Sequence, residues 1–334
     1  MNNVRLTLVT GATGAVGPSV IGALHKAGHS IRTLSIDAPQ AGSLPPDIEV
    51  RIGDVTDQSA VQSAMQGVEA VIHLAALLHI TNPPPTLLEK YERINIRGAA
   101  TLVKAAVEAG VKRLVFFSTI AVYGNSYNQI LTEDTLTQPD TFYATTKLAA
   151  ERIVLDAKRM DGQPLGTVLR FAAIYGSRIK GNYQRLVQAL AHGRFIPIGD
   201  GSNRRTLIYD RDVAKAALLA VQHPAAAGKI FNVSDGQFHT LNGIIAAVCE
   251  ALGRKPPRLS LPVGPVRFAA GMVEDVAHLI GLQSPIERST IDKYIEDVAV
   301  DSSRIQKELG FQPKYDLLTG WEETVREMRK MGLF

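Results

Sequence analysis

Tyr143 and Lys147 lie four residues apart in the run YATTK, a spacing that puts both side chains on one face of a helix. A free phenol ionises at about pH 10, and a lysine cation beside it favours the phenolate, bringing proton transfer within reach at neutral pH. Tyr143 is therefore expected to take a hydroxyl proton as hydride leaves the same carbon. A hydroxyl to hold the reacting oxygen is expected at a strand end in RLVFFSTIAVYG, where Ser118 and Thr119 both qualify.

Hydride chemistry needs a carrier, and the start of the chain offers a seat for one. Gly11, Gly14 and Gly17 recur at spacing three after Thr10 closes a short apolar strand, with Thr13, Ala15 and Val16 between them and a helix following through VIGALHKAG. Glycines let the backbone turn tightly and approach a pyrophosphate, and the helix start presents unpaired amides and a favourable dipole. The loop is expected to bind a dinucleotide. At the end of the second strand, where an acidic residue would meet the adenosine ribose, stands Ser35, with Asp37 two residues on and Arg32 nearby. No arginine at 36 greets a 2′-phosphate, so NAD is expected over NADP. Asp54 and Val55, in GDV after the third strand, are placed to meet the adenine.

These residues must be positioned by an alternation of short β-branched runs and helical patterns. VRLTLVT, SIRTLSI, IEVRI, EAVIHLA, RLVFFS and GTVLRFA read as strands, with helices between most of them, one through KAAVEAG and one around YATTKLAAERIVLDAK. Strands apolar on both faces and separated by helices imply an α/β fold with a doubly wound parallel Rossmann sheet. Residues 1–176 are expected to form the dinucleotide-binding domain and 177–334 a smaller, mainly helical substrate lobe, with a segment of about 205–235 returning to the sheet. Asn82 to Pro85 is a loop rather than a boundary.

Composition removes several other functions. The 334 residues are 46% apolar and 20% charged, which suits a soluble two-lobed enzyme. The pI of 9.1 rests on 36 basic against 32 acidic residues with only 6% aromatics, not the footprint of a nucleic-acid binder. The excess is local, in Arg178, Lys180, Arg185, Arg194, Arg204 and Arg205 against Asp200, and an acidic small molecule is the expected partner. Cys249 is the only cysteine, so no intramolecular disulfide or cysteine-built metal site is expected, and no metal at all. With no basic leader and no long apolar stretch, a cytoplasmic protein without a membrane partner is expected.

The ordered motifs TGATGAVG, GDV, HLAA, NIRG, AGVKRLVFFST, VYG, YATTK, LRFAAIYG, RRTLIYDRDVAKA and ELGFQP span nearly the whole chain. In them it resembles the extended short-chain dehydrogenases/reductases, the NAD-dependent nucleotide-sugar epimerases and dehydratases of the UDP-glucose 4-epimerase kind. The resemblance implies Tyr143 as acid/base, Lys147 on the nicotinamide ribose, and, counting back five from Gly124, Thr119 as the catalytic hydroxyl. It implies further cofactor contacts at Leu74, Ala75, Ala76 and Asn95, and substrate contacts at Arg205 on a diphosphate and Asn182 on the nucleotide. His73 and Asn95 are expected to do architectural work beside the cofactor. Dehydratases of the family carry an Asp-Glu pair after the threonine; here stand Ile120 and Ala121, which leaves 4-epimerisation or net oxidation and reduction of a nucleotide-diphosphate sugar. These stand ahead of redox chemistry on another small ketone or alcohol such as a sterol, or a catalytically idle dinucleotide sensor, against which Thr119, Tyr143 and Lys147 argue. Ala173 and Ser177 replace an Asn and a Pro common among epimerases. The family also implies a homodimer through the helices before and containing YATTK, and a place in surface polysaccharide synthesis.

Overall fold

The structure, a computed structural model, describes residues 6–40, 42–78, 80, 83–280, 284 and 287–334. The expected start of the first strand at Val4 and the Asn82 end of the proline loop lie outside the described residues. From its first described residue the chain runs β1 (Leu6–Thr10), α1 (Gly17–Lys26), β2 (Ser30–Ser35), β3 (Glu49–Ile52), α2 (Gln58–Met65) and β4 (Ala70–His73). Then come α3 (Leu88–Tyr91), a π-helical stretch Glu92–Arg97, α4 (Gly98–Glu108), β5 (Arg113–Thr119), the two-residue β6 (Ile130–Leu131), α5 (Phe142–Asp156) and β7 (Gly166–Phe171).

Six of these strands and β11 (Ile230–Val233) form one parallel sheet in the order β3-β2-β1-β4-β5-β7-β11. Neighbouring residues on each inner strand face opposite ways. Val9, Ile72, Val115 and Leu169 pack under α1 and under α7 (Asp210–Gln222), while Leu8, Val71, Leu114 and Val168 pack under α2, α4 and α5. Two covered faces explain why the inner strands read as continuous apolar runs. Only β3, at the edge, leaves Val50 and Ile52 exposed. The direction of winding reverses between β1 and β4, and at such a switch point ligands bind beyond the carboxyl ends of the strands.

After β7 follow β8 (Ala173–Tyr175), α6 (Asn182–Ala191), β9 (Arg204–Arg205), β10 (Leu207–Tyr209), β12 (His239–Thr240), α8 (Leu241–Leu252), α9 (Val263–Leu279) and α10 (Arg288–Ile295). The chain closes with β13 (Ala299–Val300), α11 (Ser303–Leu309) and α12 (Leu317–Lys330). Leu186 and Leu190 of α6, Ile245 and Val248 of α8, and Trp321 and Val325 of α12 make a separate core for these helices. Cys249 is buried in it. Ile305, Leu309 and Phe311 instead join the sheet core beside α7, so a second late segment packs on the sheet besides the strand near 230.

Candidate active site

The glycine loop needs its glycines for two separate reasons. Gly11 has φ +72, and a Cβ there would lie 2.7 Å from the Ala75 amide nitrogen. Gly17 would drive a Cβ to 2.1 Å from the Ala12 carbonyl oxygen, so α1 can close on the strand end only without a side chain there. Gly14 donates to the Gly11 carbonyl at 3.0 Å, and Thr13 and Gly14 are exposed at the rim. Val16 caps α1 without a side-chain hydrogen bond, and no acid occupies the first turn. Ala15 and Val16 thus lead into a helix start with no side-chain cap and no acid, where the positive end of the helix dipole suits an anion.

The neighbouring residues complete the same crevice. Leu74 and Ala75 donate their amides to Thr10, to the carbonyl at 3.2 Å and to Oγ1 at 3.3 Å, holding the Leu74–Ala76 turn against Gly11. Ser35 is buried, and its hydroxyl has no hydrogen-bond partner. A buried hydroxyl in that state fits a ligand hydroxyl. Asp37 is exposed beyond it. Arg32 faces elsewhere, donating to Glu49 at 2.7 Å and to the Ala64 and Gln66 carbonyls, so it is not placed to greet a 2′-phosphate. Asp54 accepts from the Thr56 amide at 2.9 Å and pairs with Arg93 at 3.5 Å, while Val55 is buried against Gly98.

On β5 the pleat separates the two candidate hydroxyls. Ser118 is buried and donates to the Glu151 carboxylate, which also binds Arg170, Nη2 to Oε2 2.6 Å. Thr119 turns the other way and is half-buried, its Oγ1 accepting from the Ala121 amide at 3.2 Å. Its own proton stays available at the strand end. Gly124 makes the following turn possible, since a Cβ there would lie 2.0 Å from the Gln138 carbonyl oxygen.

Helix α5 packs against β5 and the turn after Thr119, and presents Tyr143, Lys147 and Glu151 as one stripe. Asn95, buried in the π-helical stretch, accepts from the Leu77 amide at 2.8 Å and donates to the Leu77 carbonyl and the Thr146 hydroxyl. Its side chain is committed to fixing the cofactor-side loop and α5.

Lys147 is buried with its ammonium 4.0 Å from the centre of the Phe116 ring, and burial pushes it down to about 7 against the pull of Glu151. The depressed phenol expected from the YATTK spacing is not what the chain by itself shows. Burial and the neighbouring Tyr91 raise Tyr143 well above the usual phenol range, and the lysine is turned toward Phe116 and Glu151. His73 does architectural work: its Nδ1 shares a hydrogen bond with Thr10 Oγ1 at 2.7 Å, and burial beside Lys147 pushes it down to about 3. It stays neutral.

In the helical lobe the adjacent arginines part company. Arg204 is spent on Asp297, Nη2 to Oδ2 2.6 Å, rather than standing in solvent. Arg205 donates to the Lys293 and Tyr294 carbonyls, at 2.6 and 2.9 Å; Glu296 and Asp297 feel its charge, but among the described residues no carboxylate is in ion-pair contact with it. That is the state expected of an anion contact. Asn182 is exposed at the first turn of α6, behind a glycine that gives no side-chain cap. Ala173 is exposed on β8, and Ser177 donates to Glu327 at 2.6 Å, a tie to α12.

The sequence reading missed Glu151, Arg170 and Asp210. The first two lie one and two elements behind the reacting edge, and only folding joins them. Asp210 accepts from Ser19 of α1 at 3.1 Å, and burial pushes it up to about 6. The ordered DRDVA run was the one available signal for it.

The chain is 28% identical over 322 residues to the N-acetyl-α-D-glucosaminyl-diphospho-undecaprenol 4-epimerase of Escherichia coli O157:H7, covering 96% of this chain and 94% of that protein. It is 26% identical over 320 residues to a 3β-hydroxysteroid dehydrogenase/Δ5→4-isomerase of Mycobacterium tuberculosis, with 92% and 86% covered. Among solved structures, MoeE5 in complex with UDP-glucose and NAD superposes with a TM-score of 0.77 at 25% identity, over 98% of this chain and 99% of that one. The sequence model of the NAD dependent epimerase/dehydratase family matches residues 7–234, from β1 to the end of β11. That stretch holds the glycine loop, Thr119, Tyr143, Lys147 and Arg205, and with it the chain belongs to the NAD dependent epimerase/dehydratase family.

Proposed function

We propose that this protein is an NAD-dependent 4-epimerase of a nucleotide-diphosphate sugar, a UDP-hexose or UDP-N-acetylhexosamine, working through a 4-keto sugar. The observation that carries the reading is the division of labour across the crevice. An uncapped glycine loop and the Thr119 hydroxyl lie at the carboxyl edge of the sheet, with the Tyr143 helix packed against the Thr119 turn and, on β9, an Arg205 guanidinium held by backbone carbonyls rather than by a direct ion pair. NAD, when bound, would supply a hydride acceptor and donor and a positive charge.

In this reading Thr119 donates to the sugar oxygen and holds it in line. Tyr143 takes the proton from the sugar hydroxyl as hydride leaves the same carbon and returns it to the same oxygen as hydride comes back on the other face, so the sugar ends with no net change in redox state. Lys147, held near its neutral point, gains charge and favours the phenolate when a ligand displaces it from Phe116. Arg205 binds the diphosphate. Ser35 receives the adenosine ribose, and Arg32, tied to Glu49, leaves no cation for a 2′-phosphate. Ile120 and Ala121 carry no group able to move a proton, so water is retained.

The alternative is net 4-dehydrogenation or ketoreduction with the same residues. Freshly purified protein incubated with UDP-sugars and no added nucleotide separates the two: epimeric product with no change at 340 nm supports the epimerase. A strict demand for stoichiometric NAD(P)H overturns it in favour of the reductase. The reading also carries a homodimer formed through α4 and α5, which a monomer in sedimentation at micromolar concentration would remove.

A further inference from the structure

Helix α9 is packed inside out. Its small residues Ala270, Gly271 and Ala277 are the buried ones, α10 packs against it, and the guanidinium of Arg288, the first residue of α10, lies over Gly271, where a Cβ would come within 2.3 Å of Nε. Its large apolar residues face away from the protein: Phe268 is 70% exposed, Met272 52%, Val276 56% and Leu279 85%. These positions follow one another at helical spacing, and Pro265, Ala269, Val273 and Ile280, also exposed, widen the stripe. At 3.6 residues per turn the apolar arc is roughly 140° wide. A soluble helix normally buries such an arc, and a contiguous exposed one marks a contact surface.

Charge indicates the occupant. The loops at the start of α9 and after α6 are stitched together by Gly199 donating to the Leu261 carbonyl at 2.8 Å and Leu261 donating to the Pro197 carbonyl at 2.9 Å. They add exposed Ile196, Leu259 and Leu261 to the apolar surface. They also carry Arg194, Arg254, Lys255 and Arg258, all exposed and all without an ion pair among the described residues. The acids of the hairpin are already used, Asp292 by Arg267 and Glu274 and Asp275 by Arg288. A second copy of this face would bring these four cations four more, against Asp200 as the one unpaired acid of the same loops among the described residues. An anionic lipid surface satisfies both parts at once.

We propose that α9 docks this protein on the surface of a bilayer containing anionic lipids, with the Phe268–Leu279 face in the headgroup layer and the four cations on lipid phosphates. Among the described residues no helix is long and apolar enough to cross a membrane, so the attachment is peripheral. The docked hairpin is continuous with the candidate site, because Arg205 holds the carboxyl end of α10 through Lys293 and Tyr294. The proposal stands on the exposed helix and not on the sugar chemistry, and the test keeps them apart.

The full chain is floated on a density gradient with vesicles of phosphatidylcholine alone or mixed with phosphatidylglycerol. Flotation is expected with the mixed vesicles, falling by about tenfold or more in Phe268→Asp/Val276→Asp. Arg254→Ala/Lys255→Ala/Arg258→Ala should remove the preference for phosphatidylglycerol. Turnover of a soluble UDP-sugar is followed in the same preparations and is expected to be unchanged in all three proteins, so loss of one readout does not mimic loss of the other. Wild-type protein that stays at the bottom with both vesicles overturns the proposal, as does a double variant that floats like wild type. So does a dimer that the double variant splits without any vesicle binding, an outcome that assigns the face to a second copy.

Discussion

The Arg170 guanidinium closes on the Glu151 carboxylate, Nη2 to Oε2 2.6 Å, with both side chains almost wholly buried one helical turn below Lys147. Ser118 adds a third member from β5. The cluster ties α5 to β5 and β7 and places a negative charge under the lysine that serves the reacting edge. Glu151→Gln leaves the Arg170 charge uncompensated, and a loss of about 3–5 kcal/mol in urea unfolding is expected. Glu151→Gln with Arg170→Met should recover part of that loss; a double variant no more stable than the single one would contradict a paired role.

The two strand-end hydroxyls should separate by phenotype. Thr119→Ala is expected to lower kcat by about 10²-fold with a small change in Tm, because its side chain bonds only the Ala121 amide. Ser118→Ala removes a partner from a buried carboxylate and should cost about 1–3 kcal/mol of stability. Thermal scans and steady-state kinetics on both variants check the assignment, and a reversal of the two effects would overturn it.

Lys147 gives the chain a pH signature. Its ammonium is pushed down from 10.5 to about 7 by burial, so the unfolded state binds the proton more tightly than the folded one. Stability from this group is present above pH 10.5 and is lost as pH falls toward 7, below which the loss stays constant. Lys147→Met without cofactor is expected to be more stable than wild type by roughly 1–3 kcal/mol at pH 7. The gap should narrow as pH rises toward 10, measured by urea midpoints across that range.

Gly17→Ala tests the cradle. The new methyl would meet the Ala12 carbonyl at 2.1 Å, so α1 must move off the strand end. Loss of NAD binding in calorimetry is expected, together with about 2 kcal/mol or more of stability. Gly22→Ala, on the same helix with nothing within 4 Å, is the control and should leave both unchanged or slightly improved.

Much of the sheet is legible because each inner strand is buried on both faces, which forces an apolar run that a reader can see: VIH in β4, LVFF in β5 and TVLRF in β7. The glycine loop is legible because its backbone demands glycine, whatever else surrounds it. Glu151, Arg170 and Ser118 are not, since each is an ordinary polar residue in its own element and becomes a buried cluster only across three of them. The same holds for the state of Tyr143. Spacing along α5 placed Lys147 on its face, but the chain by itself turns the ammonium over Phe116, and burial then governs the phenol.

By itself the sequence determined the periodicities and the glycines and supplied the candidate reacting side chains, since these are local properties of backbone and residue type. What only the tertiary structure decided is direction. Ser118 and Thr119 differ by one pleat, Arg204 and Arg205 by which one meets Asp297, and neither choice is written in residue type. The apolar spacing of α9 is the plainest case. Its spacing alone does not say which side is covered; in the structure Ala270, Gly271 and Ala277 are buried, with Arg288 of α10 over Gly271, and Phe268, Met272, Val276 and Leu279 are left outward. Packing is a contest between the faces of a helix, and it is settled by what the neighbouring element can fit against.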